Sequence, residues 1–371
     1  MLTWVEINKA ALIHNLNEFR RLIGNSTLLI PVVKSNAYGH GIVEVASICE
    51  SSDAVDRLAV VNLDEALLLR LCNIKKPIQI LSFFEENDDK VKEAIKKNIS
   101  FPVYSIKQLH YLNSISKRIG ISCKIHIKID TGTSRVGLTS EEIPEFINEI
   151  KKCNKLICEG IWSHFSSSES NSKLTKKQNI VFNKAEKIFN SCGINFEIKH
   201  ISCTAATVLH NFAKHNAVRV GLGIYGLHPT ATTSKKIDLV PVLTWKTKII
   251  QVKNLKKGAS ISYGGKYIMP KNGKIAILPI GYFDGYDRAW SNKSHVIIRG
   301  KKCPVRGRIC MNLTIVDVSG LKTCSVGDTV TLIGSQNKSR ITVDELAKLS
   351  KDTINYEVVT NINPQISRFV I

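Results

Sequence analysis

From about residue 8 to residue 228 the chain alternates short apolar runs with stretches of helical periodicity, and this alternation restricts the fold more than any other feature. Apolar runs end near Val33, Val61, Leu81, Val103, Ile129, Trp162, Ile201 and Val218. Between them lie amphipathic stretches at Ile42–Cys49, Leu63–Leu71, Asp88–Lys97, Ser105–Arg118, Glu141–Lys151 and Thr175–Asn190. Strands apolar on both faces, joined by helical crossovers, belong to a parallel sheet, and eight of them predict a parallel (β/α)8 TIM-type barrel over residues 8–233. After Pro229 the texture changes. The polar run Thr230-Ala231-Thr232-Thr233-Ser234 leads into short β-type runs at Val242–Val252, Lys274–Ile280, Val296–Ile298, Leu313–Val318 and Thr329–Ile333. These predict a second, mostly antiparallel β domain over residues 234–371, joined by residues 1–7. Lys271-Asn272-Gly273 reads as a hairpin turn, and only Val343–Leu349 looks helical. At 371 residues the chain has room for two cores.

A net charge of +21 raises the question of a polyanionic partner. The lysines, however, are dispersed in short clusters such as Lys96-Lys97, Lys151-Lys152 and Lys256-Lys257, with no basic stripe interleaved with aromatics. Solvated surface charge accounts for them, and no nucleic-acid partner is expected. A positive field would still help to capture an anionic cofactor. The ten cysteines show no CxxC pair and no framework spacing, which points to free thiols in a reducing compartment. No apolar run approaches the length of a spanning helix, and the N-terminus has no sustained apolar stretch. A cytoplasmic protein with no membrane partner is expected.

The first apolar run ends abruptly in one lysine, Leu28-Leu29-Ile30-Pro31-Val32-Val33-Lys34, followed by Ser35-Asn36-Ala37-Tyr38-Gly39-His40-Gly41. A lysine at the end of a buried strand is poorly solvated, so its pKa falls and its amine becomes a nucleophile suited to an aldehyde cofactor. The plainer alternative is a strand-end lysine that snorkels to water. The segment Val32–Gly41 resembles the lysine segment of the alanine racemases, pyridoxal-phosphate enzymes of the barrel-fold class. Thr3-Trp4-Val5-Glu6-Ile7, Leu12 with His14-Asn15-Leu16, and Ile354-Asn355-Tyr356-Glu357 resemble further motifs near the two ends of that family. The motifs fall in family order, so the resemblance covers essentially the whole chain.

The resemblance implies a cofactor, pyridoxal 5'-phosphate, joined to Lys34, and a two-base racemisation of L- and D-alanine through an external aldimine. D-alanine would then supply peptidoglycan synthesis. Thr204, following His200-Ile201-Ser202-Cys203, and Gly221 with Leu222 offer a hydroxyl and two amides to a phosphate. Tyr38 and Tyr356 would add phenolic hydrogen bonds. Arg219, in Val218-Arg219-Val220-Gly221, is placed by the family against the pyridine nitrogen. A guanidinium donates permanently and does not give up its proton, so that nitrogen stays unprotonated and transamination is discouraged; the alternative is a structural salt bridge. Tyr263, in Ile261-Ser262-Tyr263-Gly264-Gly265, would be the second base, reaching the cofactor of the other subunit in a homodimer. Lys34 would take the proton of D-alanine and Tyr263 that of L-alanine. His164 in Trp162-Ser163-His164-Phe165, with Arg219 and Arg288, would tune Tyr263. Arg288 and Tyr282 belong to Gly281-Tyr282-Phe283-Asp284-Gly285-Tyr286-Asp287-Arg288, which resembles the family's Gly-Tyr-x-Asp-Gly segment. Arg135, in Lys128-Ile129-Asp130-Thr131-Gly132-Thr133-Ser134-Arg135, would clasp the substrate carboxylate with help from the Met311 amide. The family often carries a carbamylated lysine at the position of Lys128, whose negative charge would orient Arg135.

The chain departs from the family wording at Asn312, where aspartate is usual, at Cys203-Thr204, where asparagine and serine are common, and in the polar stretch Ser166-Ser167-Ser168-Glu169. None touches the two bases; all three bear on substrate breadth, serine or larger amino acids included. Two rivals, one an enzyme and one a binding protein, each require a pattern that this sequence does not show. A fold-related decarboxylase would carry a glycine-rich phosphate loop and a C-terminal Cys-x-x-Asp pattern. A single-barrel pyridoxal-phosphate-binding protein would lack the second domain and Tyr263.

Overall fold

The computed structural model describes residues 1–371 and divides into two units, one of residues 11–35 and 45–240, the other of residues 1–10, 36–44 and 241–371. The first unit is built on eight parallel strands: β1 (Leu28–Pro31), β2 (Leu58–Val60), β3 (Ile78–Ile80), β4 (Ile99–Val103), β5 (Cys123–Lys128), β6 (Leu156–Trp162), β7 (Ile198–His200) and β8 (Ala217–Val220). Their order is β1-β8-β7-β6-β5-β4-β3-β2, and a parallel bridge between Val32 and Ala59 joins the two ends into a barrel. All eight expected strands are present, and strands β2, β3 and β4 are buried along their whole length, as a parallel sheet covered on both faces requires.

Helices start where the sequence provides side-chain acceptors. Asn62, Asn87 and Ser105 each accept the backbone N–H three residues on, opening Leu63–Leu71, Asp88–Lys96 and Ile106–Ile119. One further helix, Lys9–Ile23, was not expected. It buries Leu12, Leu16, Phe19 and Ile23, a stripe of helical period, and the Asn15 amide donates to the Ile224 and Val240 carbonyls.

The second unit holds two antiparallel sheets. In the larger, the strand order is Lys301–Pro304, His295–Ile298, Thr329–Gln336, Leu243–Lys248, Thr3–Ile7, Arg368–Val370, and only the last pair runs parallel. The smaller sheet joins Gln251–Leu255, Gly273–Leu278 and Thr314–Asp317. The apolar run Val242–Val252 therefore breaks into two strands of different sheets. Buried Ile249 marks the break, exchanging backbone hydrogen bonds with Asp328 and Gly327 at 3.0 and 2.8 Å. Asn272-Gly273 is not a tight hairpin turn. The two strands are joined by the long excursion 256–272, which carries Tyr263, and the Asn272 side chain instead accepts the Lys257 N–H at 2.8 Å.

Candidate active site

Two groups of the expected residues assemble, one in each unit. In the barrel unit they gather at the C-terminal ends of the strands. Lys34 follows β1, Lys128 closes β5, His164 follows β6, Thr204 opens a short helix after β7, and Arg219 lies in β8 with Gly221 just beyond it. That is the rim on which barrels place chemistry. Lys34 is anchored through its neighbour: the Ser35 N–H donates to Glu65 Oε1 at 2.6 Å, and the second oxygen of the same carboxylate accepts the Val61 N–H at 2.9 Å.

The motif after Lys34 is a left-handed turn. Ser35, Asn36, Ala37 and Tyr38 have φ of 55, 53, 51 and 54°. Each such residue costs about 1–2 kcal/mol, so the turn must be held from outside. The Asn36 side chain accepts the Ile42 N–H at 2.9 Å, and Arg368 donates to the Gly39 carbonyl at 3.0 Å. Gly39 itself has φ +83°, and a Cβ there would lie 1.8 Å from the Val359 carbonyl oxygen. The turn brings Tyr38 and Tyr356 together, their ring centroids 6.1 Å apart.

Arg135 is presented by a loop folded round Asp130. The Asp130 carboxylate accepts the backbone N–H groups of Gly132, Thr133, Ser134 and Arg135 at 2.8, 2.9, 3.2 and 3.1 Å. Burial works to raise the pKa of this carboxyl, but those amides hold it below the ordinary value. Arg219 is 3% exposed and pinned by carbonyls: its Nη2 donates to Ser163 at 2.7 Å and Ile201 at 3.2 Å, and its Nη1 to His200 at 3.1 Å. His164 Nδ1 lies 3.2 Å from Arg219 Nη2. The Trp162 ring carries the Arg219 guanidinium at 4.9 Å and Lys128 Nζ at 4.3 Å from its centroid.

These cations depress one another. Burial lowers the pKa of Lys34, Arg135 lowers it further, and Glu65 offsets part of the effect. Lys128 falls to about 7 through burial and then through Arg135 and Arg219, with Asp130 opposing. His164 is held well below its usual value by burial and by Arg219 and Arg135, so it is a neutral imidazole. Four basic side chains thus meet at one mouth, with the Glu65 carboxylate beside Lys34 and that of Asp130 beside Lys128. This donor set suits a multiply charged anion. The Thr204 hydroxyl, 4% exposed, already accepts the Gly223 N–H at 3.3 Å, while Gly221 and Leu222 precede the first bond of the next helical turn, Ile224 N–H to Gly221 O at 3.0 Å. An amine, a hydroxyl, two helix-start amides and a guanidinium are a fitting set for an aldehyde-bearing phosphate ester with a ring nitrogen.

In the other unit, Tyr263, Tyr282, Arg288, Arg308 and Met311 line an open cleft of about 960 Å³. Tyr263 is 71% exposed, at the tip of the 256–272 excursion. Ser262 just before it has φ 62°, and its hydroxyl donates to the Arg308 carbonyl at 2.6 Å, which ties the tyrosine turn to the Met311 segment. Asn312 is exposed, and Cys203 Sγ sits 3.2 Å from the Ser168 hydroxyl. Sequence reasoning missed Asp130 and Glu65, which position Arg135 and Lys34. An aspartate two residues before a glycine was the available signal for the first; for Glu65 there was none.

The alanine racemase N-terminal domain family matches residues 7–229, and the alanine racemase C-terminal domain family matches residues 242–370. Alanine racemase 2 of Caldanaerobacter subterraneus subsp. tengcongensis is 38% identical over 371 residues, covering 100% of this chain and 95% of its own. The structure of alanine racemase from Clostridium difficile 630 superposes with a TM-score of 0.93 at 34% identity, covering 100% of this chain and 96% of that one. A histidine racemase from Leuconostoc mesenteroides subsp. sake has a TM-score of 0.90 at 25% identity, with 100% and 98% covered. No helix is long and apolar enough to cross a membrane. With both of its domains matched and the fold shared throughout, this chain belongs to the alanine racemase family of isomerases.

Proposed function

We propose that the chain interconverts L- and D-alanine with pyridoxal 5'-phosphate on Lys34, as a homodimer, in the cytoplasm, and so supplies D-alanine for peptidoglycan. The observation that carries this reading is Lys34 at the barrel mouth, its pKa lowered by burial and Arg135. When bound, the cofactor supplies a conjugated, electron-withdrawing ring that acidifies the α-hydrogen of the amino acid joined to it. Lys34 Nζ, as a free amine, takes that proton on one face, from D-alanine. Tyr263 of a second copy takes it on the opposite face, from L-alanine, with His164, Arg219 and Arg288 supporting the phenol and Tyr282 lining its cleft. Two bases on two faces are what inversion requires, since a single base returns the proton to the side it came from.

Thr204, the amides of Gly221 and Leu222, and the phenols of Tyr38 and Tyr356 hold the phosphate. Arg219 donates to the ring nitrogen and leaves it unprotonated. Arg135 and the Met311 amide orient the substrate carboxylate, and a carbamate on Lys128 would supply the negative charge that holds Arg135 in place. A broader amino-acid racemase is the second reading, favoured by the polar Ser166–Glu169 stretch and the Leuconostoc histidine racemase. The test is racemisation of L-alanine with added pyridoxal phosphate, followed by chiral chromatography, beside L-serine and L-histidine. D-alanine with much slower serine and histidine turnover supports the alanine reading. Comparable rates move the assignment to the broader one, and no D-product from any of them overturns both.

A further inference from the structure

Beneath the mouth, the barrel interior holds a run of polar side chains that the reaction as proposed does not use. Arg219 Nη1 lies 2.5 Å from His200 Nδ1, His200 Nε2 lies 3.0 Å from His126 Nδ1, and His126 Nε2 lies 2.8 Å from Glu159 Oε2. Glu159 also accepts from Arg57 Nη2 at 2.8 Å and from the Ser100 hydroxyl at 2.6 Å. All of it is dry: His126 and His200 are 0% exposed, Arg57 4% and Glu159 7%.

The direction of every hydrogen bond in this run follows from its two ends. Burial works against the Glu159 charge, but His126 and Arg57 hold the carboxyl well below its usual range, so it is an acceptor only. His126 must therefore carry its proton on Nε2. Arg57 Nη1, 3.2 Å from the same nitrogen, is the weaker competitor. Burial also keeps both imidazoles neutral, His126 at about 4 and His200 well below 6.5. Nδ1 of His126 then accepts from His200 Nε2–H, Nδ1 of His200 accepts from Arg219, and the Gln79 amide, 3.4 Å from His200 Nε2, turns its otherwise unpartnered oxygen towards that N–H. Every proton points away from Arg219 and towards Glu159.

The backbone is shaped for this run. The β5–β6 register shifts between Ile125 and His126. Beside that shift stands Gly160, where a Cβ would meet His126 Nδ1 at 2.3 Å. The Trp162 ring stacks on His200 at 8° and 5.8 Å, fixing the plane of the second imidazole.

We propose that Glu159 is a positioning residue which, through the tautomers of His126 and His200, holds Arg219 as a fixed donor at the ring nitrogen. The proposal rests on the reading that Arg219 faces that nitrogen. Glu159→Met keeps the length of the side chain and removes the acceptor that dictates the first tautomer. Arg57 Nη1, already 3.2 Å away, then donates to His126 Nε2, both imidazoles reverse, and His200 presents an N–H to Arg219. Two donors 2.5 Å apart cannot stand, and Arg219 shifts. Gly160→Ala reaches the same end by displacing the His126 ring with no change of charge. Glu159→Asp keeps the acceptor.

The experiment loads wild type, E159M, G160A, E159D and R219K with pyridoxal phosphate and checks each fold by circular dichroism. It then reads the cofactor's visible absorbance and the pyruvate released per D-alanine formed. A defect in packing alone lowers both products together; a displaced Arg219 changes their ratio. In E159M and G160A the ratio is expected to rise about tenfold or more with a shifted absorbance band, as in R219K, and to stay near wild type in E159D. If R219K moves both readouts while folded E159M and G160A move neither, the role of Glu159 is overturned. If R219K moves neither, the placement of Arg219 is wrong and the role of Glu159 falls with it.

Discussion

Thr204→Val is nearly isosteric and takes away one oxygen, which makes it the cleanest probe of the proposed phosphate site. Thr204 is 4% exposed, so the exchange leaves shape and packing in place. Two losses follow. The hydroxyl no longer donates to the phosphate, a charge-assisted hydrogen bond of about 1.5–3 kcal/mol, which weakens pyridoxal phosphate about 10- to 150-fold. The Gly223 N–H, which now reaches Thr204 Oγ1 at 3.3 Å inside the unit, loses its acceptor and destabilises the cofactor-free protein by about 1–3 kcal/mol. The two effects separate by assay. Absorbance titration of the cofactor-free protein is run with pyridoxal phosphate and with pyridoxal, which lacks the phosphate, while urea unfolding reads stability. Binding of pyridoxal phosphate should weaken by the stated factor and that of pyridoxal should change less than about threefold, a coupling that belongs to the phosphate alone. Equal weakening of both ligands, or of neither, would refute the assignment of Thr204 to the phosphate.

Lys34→Ala should abolish racemisation and the borohydride-trapped lysine adduct together; turnover without added amine in this variant would remove Lys34 from the mechanism. Arg135 depresses Lys34 by repulsion, so Arg135→Gln should raise the Lys34 pKa and move the pH midpoint of adduct formation upward, while Glu65→Gln should move it downward. Lys128, lowered to about 7, holds much of its amine neutral at pH 7, the form that takes up carbon dioxide. Labelling with 13C-bicarbonate should give a carbamate resonance that Lys128→Ala lacks. Finally, His40 and His126 are buried with pKa values of about 4 against 6.5 when unfolded. The unfolded chain binds their protons first, so stability is intact above about 6.5 and is lost as pH falls towards 4, by about 3 kcal/mol for each histidine. Urea midpoints between pH 7.5 and 4.5 that do not fall would contradict this.

The barrel was legible because its strands are buried on both faces and separated by capped helices. The helix Lys9–Ile23 is as readable by period, with Leu12, Leu16, Phe19 and Ile23 on one side, although Leu12 and His14-Asn15-Leu16 also carry the family resemblance. Break points in the β unit were not legible. Nothing local in Val242–Val252 tells that Ile249 turns the chain from one sheet to another, since the reason is its backbone pairing with Gly327 and Asp328. Lys34, His164, Thr204 and Arg219 stood out because each lies at or just beyond the end of an apolar run. Their supports did not, being scattered: Glu65 lies 30 residues from the Ser35 amide it holds, and Glu159 lies 33 from the His126 it faces. Asn-Gly at 272–273 misled because a turn dipeptide states a local preference, and that asparagine side chain is occupied by the Lys257 amide.

The Lys34 turn and the cation cluster make one physical point. Four consecutive non-glycine residues in the left-handed region, and four basic side chains at one mouth, are each unfavourable in isolation. Neither would persist unless the rest of the structure over-determined it, and the supports are visible: the Asn36 and Arg368 hydrogen bonds on the turn, the Asp130 loop behind Arg135, the carbonyl cage around Arg219. The turn sets Tyr38 beside Tyr356 directly after the lysine, which a right-handed continuation of the chain would not do. Burial and the cation cluster lower the Lys34 pKa, and under the proposed function an anionic cofactor and a carboxylate substrate would together meet the electrostatic demand that the cluster leaves. Such binding would relieve repulsion that folding has already set in place. That is why the barrel mouth should bind pyridoxal phosphate more tightly than its count of hydrogen bonds alone would indicate.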